Sequence, residues 1–132
     1  MADTCCAGGA NVGPLSNQAA VELTREGFGK MFCLAGIGGK LSGFVRSARD
    51  VPLRVAIDGC RVGCAKAIQE NAQVPMQHYL VITDEGIEKN KNFNLQRTDI
   101  DRVKAEVQRM VNQSSPTEGV PSPVGCGCKS CC

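Results

Sequence analysis

Leu53-Arg54-Val55-Ala56-Ile57-Asp58-Gly59-Cys60-Arg61-Val62-Gly63-Cys64 is the stretch that decides the fold. Its first five residues form a short apolar run of the length and branching of a buried strand, and Asp58-Gly59 follows as a turn signal. Helical spacing then runs from Cys64 to Asn71. If that helix begins at about Arg61, the sulfurs of Cys60 and Cys64 lie one turn apart on one face, which suits two ligands of one ion. Two further apolar runs flank this unit, Met31-Phe32-Cys33-Leu34-Ala35 upstream and Tyr79-Leu80-Val81-Ile82-Thr83 downstream, and both read as sheltered parallel strands.

Helices separate the strands. Pro14 opens the first, with Leu15, Ala19 and Leu23 at four-residue spacing until Gly27 ends it. A shorter helix follows the glycines over Ser42 to Ala48, and the last carries the stripe Ile100, Val103, Val107, Met110 and Val111. Thr98 with Asp101 three residues on marks its start as a capping box with a short acid. The expected class is α/β: a three-layer arrangement, a mostly parallel sheet with helices on both faces and right-handed crossovers, followed by a flexible Cys-rich C-terminal tail.

The boundary between the two parts falls near residue 113. Residues 114 to 125 are rich in Pro, Ser and Gly without apolar periodicity, which reads as a linker. The end, Cys126-Gly127-Cys128-Lys129-Ser130-Cys131-Cys132, holds four of the nine cysteines and almost nothing that packs a core. Residues 1–113 are therefore expected to form one α/β domain, and 114–132 a linker with a thiol-rich tail.

Bulk properties exclude several classes. A net charge of +2, with no basic cluster and only four Phe and one Tyr, argues against nucleic acid as a partner. Met1-Ala2-Asp3-Thr4 has no basic start leading into an apolar stretch, and no segment approaches a membrane span, so the expected location is cytoplasmic. In that reducing compartment nine cysteines, an odd number, point to metal ligation or thiol chemistry rather than structural disulfides.

In an open parallel sheet, ligands bind beyond the carboxyl ends of the strands, where loops and helix N-termini gather. Cys33 lies near the end of one strand, Cys60 follows the next, and Cys6 stands ahead of the first helix. Three residues remote in sequence are thus expected on one edge, with Cys64 beside Cys60. Zinc takes four such ligands tetrahedrally, with sulfur at about 2.3 Å. Nearby cations and helix N-termini favour ligation and nucleophilic reactivity alike. The domain lacks a CxxC pair, and Cys33 also reads as a small apolar residue of a buried strand.

These residues resemble the DGC domain family of proposed zinc-binding proteins, named for the tripeptide that stands here as Asp58-Gly59-Cys60. The likeness covers about Cys6 to Lys89. It includes Cys6-Ala7-Gly8-Gly9-Ala10-Asn11-Val12-Gly13 with Asn17-Gln18-Ala19-Ala20, and Gly29-Lys30-Met31-Phe32-Cys33-Leu34-Ala35-Gly36-Ile37-Gly38-Gly39. It continues through Ala56-Ile57-Asp58-Gly59-Cys60-Arg61-Val62-Gly63-Cys64-Ala65-Lys66 and Val81-Ile82-Thr83-Asp84-Glu85-Gly86-Ile87. The resemblance implies zinc held by Cys6, Cys33, Cys60 and Cys64, with the adjacent Cys5 a substitute for Cys6. It names no activity.

Other signals are weaker. Gly36, Gly38, Gly39 and Gly43 with Lys40 invite a phosphate loop, but Leu41 stands where a P-loop needs Ser or Thr. His78, the only histidine, precedes an apolar strand and reads as a strand entrance. Asp58 reads either as a support for a ligand or as a cap of the helix that carries Cys64, and Asn11 and Asn17 divide the same way. Cys126, Cys128, Cys131 and Cys132 suit a second thiolate cluster for zinc, copper(I) or thiophilic metalloids, able to visit the domain site from its tether. The expected function is therefore zinc or other thiophilic metal binding, in metal handling or sensing, with a metal-transfer or redox protein as partner. Thiol-disulfide oxidoreduction through Cys60 and Cys64 or the tail, and an iron–sulfur cluster, are the alternatives.

Overall fold

The computed structural model describes residues 2–5 and 8–114. Strand β3 (Arg54–Asp58) forms where its apolar run lies, and all five residues are buried. Burial on both faces is the property of an inner strand of a parallel sheet. With β1 (Ala2–Cys5), β2 (Lys30–Met31) and β4 (His78–Val81), it makes a four-stranded parallel sheet in the order β2-β1-β3-β4. The molecule is mixed α/β.

Strand β1 is where the structure adds most to the sequence reading, whose apolar runs mark no strand ahead of the first helix. Asp3 pairs with Met31 on one side and with Val55 on the other, and Cys5 pairs with Ile57. Ala2-Asp3-Thr4-Cys5 has no apolar run, so its extended form comes from having a partner strand on each side, a tertiary effect that local pattern does not carry.

The buried apolar residues form two clusters. Helices α1 (Val12–Arg25) and α5 (Arg97–Gln113) bring Leu15, Leu23, Val103 and Val107 against Val55 and Ile57 of β3. Burying Leu23 completely contributes about 2 kcal/mol relative to leaving it in water. Helices α2 (Leu34–Gly38), α3 (Ser42–Asp50) and α4 (Cys64–Asn71) form the second core, where Ile37, Ala48, Ala72 and Val74 meet the partly buried Phe32, Phe44 and Ile68. Ion pairs fasten α1 to α5: Arg97 forks onto both oxygens of Glu22 at 2.8 Å, and the buried Lys104 ammonium reaches Glu22 at 3.0 Å and also Glu26.

Four local expectations are corrected. The run at Met31–Ala35 leaves the sheet after Met31, because the Cys33 sulfur accepts the Gly36 N–H and starts α2, which drives Ile37 into the second core. The run at Tyr79–Thr83 stays extended only to Val81 and then tightens into a 3₁₀ turn over Ile82–Glu85. Helix α5 begins at Arg97 with no side-chain cap, and Asp101 bonds Arg97 at 3.2 Å instead of completing a capping box with Thr98. Helix α4 begins at Cys64, not near Arg61, because Gly63 takes a left-handed conformation (φ 69°) that no helical residue adopts. Among the described residues no helix is long and apolar enough to cross a membrane.

Candidate functional site

The strands are parallel, so their carboxyl ends share one edge. Cys33 stands two residues beyond β2, Cys60 two residues beyond β3, and β1, lying between those strands, ends at Cys5. The edge that topology makes the ligand edge is the one that the cysteines occupy.

The Asp58-Gly59-Cys60 tripeptide performs three separate tasks there. The Asp58 carboxylate, 1% exposed, accepts the Ala65 N–H at 2.8 Å and the Lys66 N–H at 3.0 Å. It therefore caps α4 from the end of β3, supplying the anion that the helix N-terminus requires. Gly59 lies directly on the start of α1: a β-carbon there would come within 2.8 Å of the Val12 carbonyl carbon, a contact only glycine permits. Cys60 then opens a turn, closed by the Gly63 N–H on the Cys60 carbonyl at 3.1 Å, and this turn delivers Cys64 to the first position of α4. A turn, not one helix face, thus sets the relation between Cys60 and Cys64.

Both cysteines line an open cleft of about 530 Å³ between the Gly8-Gly9 segment, the tripeptide turn and the chain at 89–91. Asn11 holds that last segment in place. Its side-chain oxygen accepts the Asn90 N–H at 2.7 Å, and its amide donates to the Glu88 carbonyl at 2.9 Å. Pinned so, the Lys89 ammonium donates to the Cys60 sulfur at 3.3 Å and Lys91 donates to the Gly9 carbonyl at 2.6 Å. Beneath the turn, the Tyr79 hydroxyl bonds Asp58, and its ionisation is pushed up to about 12, first by burial and then by the Asp58 charge. The Lys66 ammonium covers its ring at 5.3 Å from the centroid.

Of the residues singled out from sequence, Cys60 and Cys64 come together in the cleft. Cys33 is exposed on the same edge as the cap of α2 and does not line the cleft. Cys5 closes β1, while Cys6, Cys126, Cys128, Cys131 and Cys132 lie outside the described residues. Among the described residues, no group of three or more His, Cys, Asp or Glu side chains is gathered closely enough to hold an ion. His78 opens β4 at the opposite end of the sheet, with Nε2 buried and without a hydrogen-bond partner among the described residues. The glycine loop folds into α2, where Gly36 is packed against the Phe44 ring. Asn17 sits inside α1, away from its cap. Sequence reasoning misses Lys89, Lys91 and Tyr79. Lys89 meets Cys60 across 29 residues of chain, a separation at which no local motif announces a contact.

The profile of the DGC domain family matches residues 4–107. The anaerobic and virulence modulator AnvM of Pseudomonas aeruginosa is 31% identical over 106 residues, which cover 80% of this chain and 81% of that protein. No solved structure matches the chain.

Proposed function

The chain belongs to the DGC domain family, and from that membership we propose that it binds a thiophilic metal ion, zinc foremost, through Cys6, Cys33, Cys60 and Cys64. The observation that carries this reading is the convergence of strand ends: Cys60 and Cys64 share a cleft on the edge where β1 and β2 also deliver their cysteines. Cys5 is the substitute for Cys6. The donor set fits zinc, which four thiolates enclose with a net charge of about −2. Lys89, bonded to the Cys60 sulfur, and Lys91 on the same cleft offset that charge. The Gly36 N–H on the Cys33 sulfur orients another donor, as hydrogen bonds to ligand atoms do. Bound zinc would supply a closed, redox-inert thiolate centre.

The relative is named a modulator, and a task in metal handling or sensing agrees with that name. In this reading the Cys-rich end, Cys126, Cys128, Cys131 and Cys132, is a second thiolate cluster on a linker that loads, unloads or reports on the domain at 1–113. The same reading takes the domain as three-layered, which the separate cores of α1 with α5 and of α2, α3 and α4 support. A cytoplasmic setting, with a metal-transfer or redox protein as partner and neither nucleic acid nor membrane, suits nine cysteines kept as thiols. One observation favours a second reading, thiol-disulfide exchange: Cys60 and the exposed Cys64 open on one cleft with a cation beside the first. An iron–sulfur cluster is a further use of the same four donors.

Anaerobic metal analysis with a thiol count on the full chain separates the three. With the four tail cysteines replaced by Ser, roughly one zinc per chain is expected, and Cys60→Ser or Cys64→Ser should abolish it. A colourless, metal-free protein with a reversible Cys60–Cys64 disulfide would replace zinc binding by thiol exchange, and a brown chromophore would replace it by a cluster.

A further inference from the structure

The two sulfurs on the cleft stand in opposite electrostatic settings. The backbone on either side of Lys89 is held by Asn11, through the Glu88 carbonyl at 2.9 Å and the Asn90 N–H at 2.7 Å. From that anchored position the Lys89 ammonium donates to the half-buried Cys60 sulfur at 3.3 Å. Cys64 is exposed at the first position of α4, and the next two N–H groups of that helix are taken by the Asp58 carboxylate at 2.8 Å and 3.0 Å. A sulfur that attacks an oxidant pushes negative charge onto the atom that leaves. The ammonium beside Cys60 stabilises that charge and can protonate it, whereas the Asp58 carboxylate cancels the positive helix end on which Cys64 sits. The proton matters most where the leaving group is most basic, and hydroxide from a peroxide is far more basic than thiolate from a disulfide.

We propose that Cys60 is the site at which a small hydroperoxide oxidises this chain, with Lys89 as proton donor, and that Cys64 closes the resulting sulfenic acid into a Cys60–Cys64 disulfide. The inference rests on the thiol-exchange reading of this pair and adds the oxidant and the order of the two sulfurs. The open cleft of about 530 Å³ admits so small a molecule to the Cys60 sulfur. That sulfur attacks one peroxide oxygen, and the S–O bond forms as the O–O bond breaks. Two electrons pass from sulfur to the peroxide. Lys89 protonates the leaving hydroxide to water and takes up the proton that the Cys60 thiol gives up. The Cys64 sulfur then attacks the sulfenic sulfur, the S–S bond forms as the S–O bond breaks, and the departing hydroxide leaves as water with the Cys64 thiol proton.

The full chain is reduced, kept with a chelator and treated with hydrogen peroxide, and mass spectrometry follows each cysteine, with dimedone added to trap sulfenic acid. The rate at Cys60 is divided by the rate at the exposed Cys33 of the same chain, so that a general change in folding cancels. Without dimedone, Cys60 and Cys64 should be found joined. With it, the adduct should gather on Cys60 in Cys64→Ser, while Cys64 should react no faster than Cys33 in Cys60→Ser. Lys89→Gln should lower the Cys60 ratio about tenfold with peroxide but only about twofold with oxidised glutathione. A peroxide ratio unmoved by Lys89→Gln, faster attack at Cys64, or a disulfide from Cys60 to another cysteine would overturn the proposal. A Cys60–Cys64 disulfide raised by oxidised glutathione would then leave thiol exchange standing, and no such disulfide with either oxidant would overturn both.

Discussion

Strand β3 begins and ends on a buried charge, and the two ends treat it differently. At the start, the Arg54 guanidinium, 6% exposed, donates to the Ala48 carbonyl at 2.7 Å and the Arg49 carbonyl at 3.0 Å, and also to the carbonyls of Val51 and Pro75. It closes the carboxyl end of α3, where cations belong. At the finish, Asp58 closes the amino end of α4 with two N–H bonds. Both are helix caps supplied from a strand. The difference lies in what stands next: ahead of Arg54 come Val51, Pro52 and Leu53, which carry no reactive side chain, whereas beyond Asp58 come Gly59, Cys60 and Cys64, which line an open cleft. Each end of the strand is locked by a cap, and the carboxyl end also carries two thiols on an open cleft.

That contrast can be broken at either end. Arg54→Leu should cost about 3 kcal/mol, because it leaves several buried carbonyls without a donor. Urea unfolding should show the loss while the zinc content of the folded fraction stays that of the unmodified chain. Asp58→Asn should cost less stability, about 1–2 kcal/mol for a weakened cap. It should nevertheless lower zinc affinity roughly tenfold, since Cys64 opens the helix that Asp58 holds. If the two variants shift affinity alike, the distinction between the ends fails.

The smallest effect lies away from both ends. The Glu22 carboxyl is lowered from 4.5 to about 2, chiefly by its bonds to Arg97 and then to Gln18 and Lys104. A depressed carboxyl stabilises the fold fully above its unfolded value, so this contribution should be complete above pH 4.5 and disappear as pH falls towards 2. Acid unfolding of Glu22→Gln should therefore lack that part of the pH dependence, with no change in metal content.

The elements that sequence makes legible are those whose pattern is their cause. Strand β3 is a continuous apolar run, α4 starts at Cys64 after a glycine, and Ile100, Val103, Val107 and Val111 of the apolar stripe are buried as its period requires, with Met110 partly so. What sequence leaves out is carried by contacts between remote residues. β1 is extended because β2 and β3 lie on its two sides, and Cys33 leaves the sheet because its sulfur bonds the Gly36 N–H. At the site, the gathering of Cys60 and Cys64 is readable from their spacing, although a turn around Gly63 rather than a helix face achieves it. The ambiguity at Asp58 resolves into capping, and Asn11 proves to hold the chain at 88–90. Lys89 was out of reach of any local pattern because its position depends on that hold.

The central claim, that the cysteines of three strand ends and one helix start enclose a metal ion, is tested most directly by X-ray absorption at the zinc edge. The chain is loaded with zinc under reducing conditions after the four tail cysteines are changed to Ser. Four sulfur neighbours at about 2.3 Å are predicted, falling to three with oxygen or nitrogen in Cys33→Ser. A shell of two sulfurs completed by oxygen or nitrogen, unchanged in Cys33→Ser, would contradict the account.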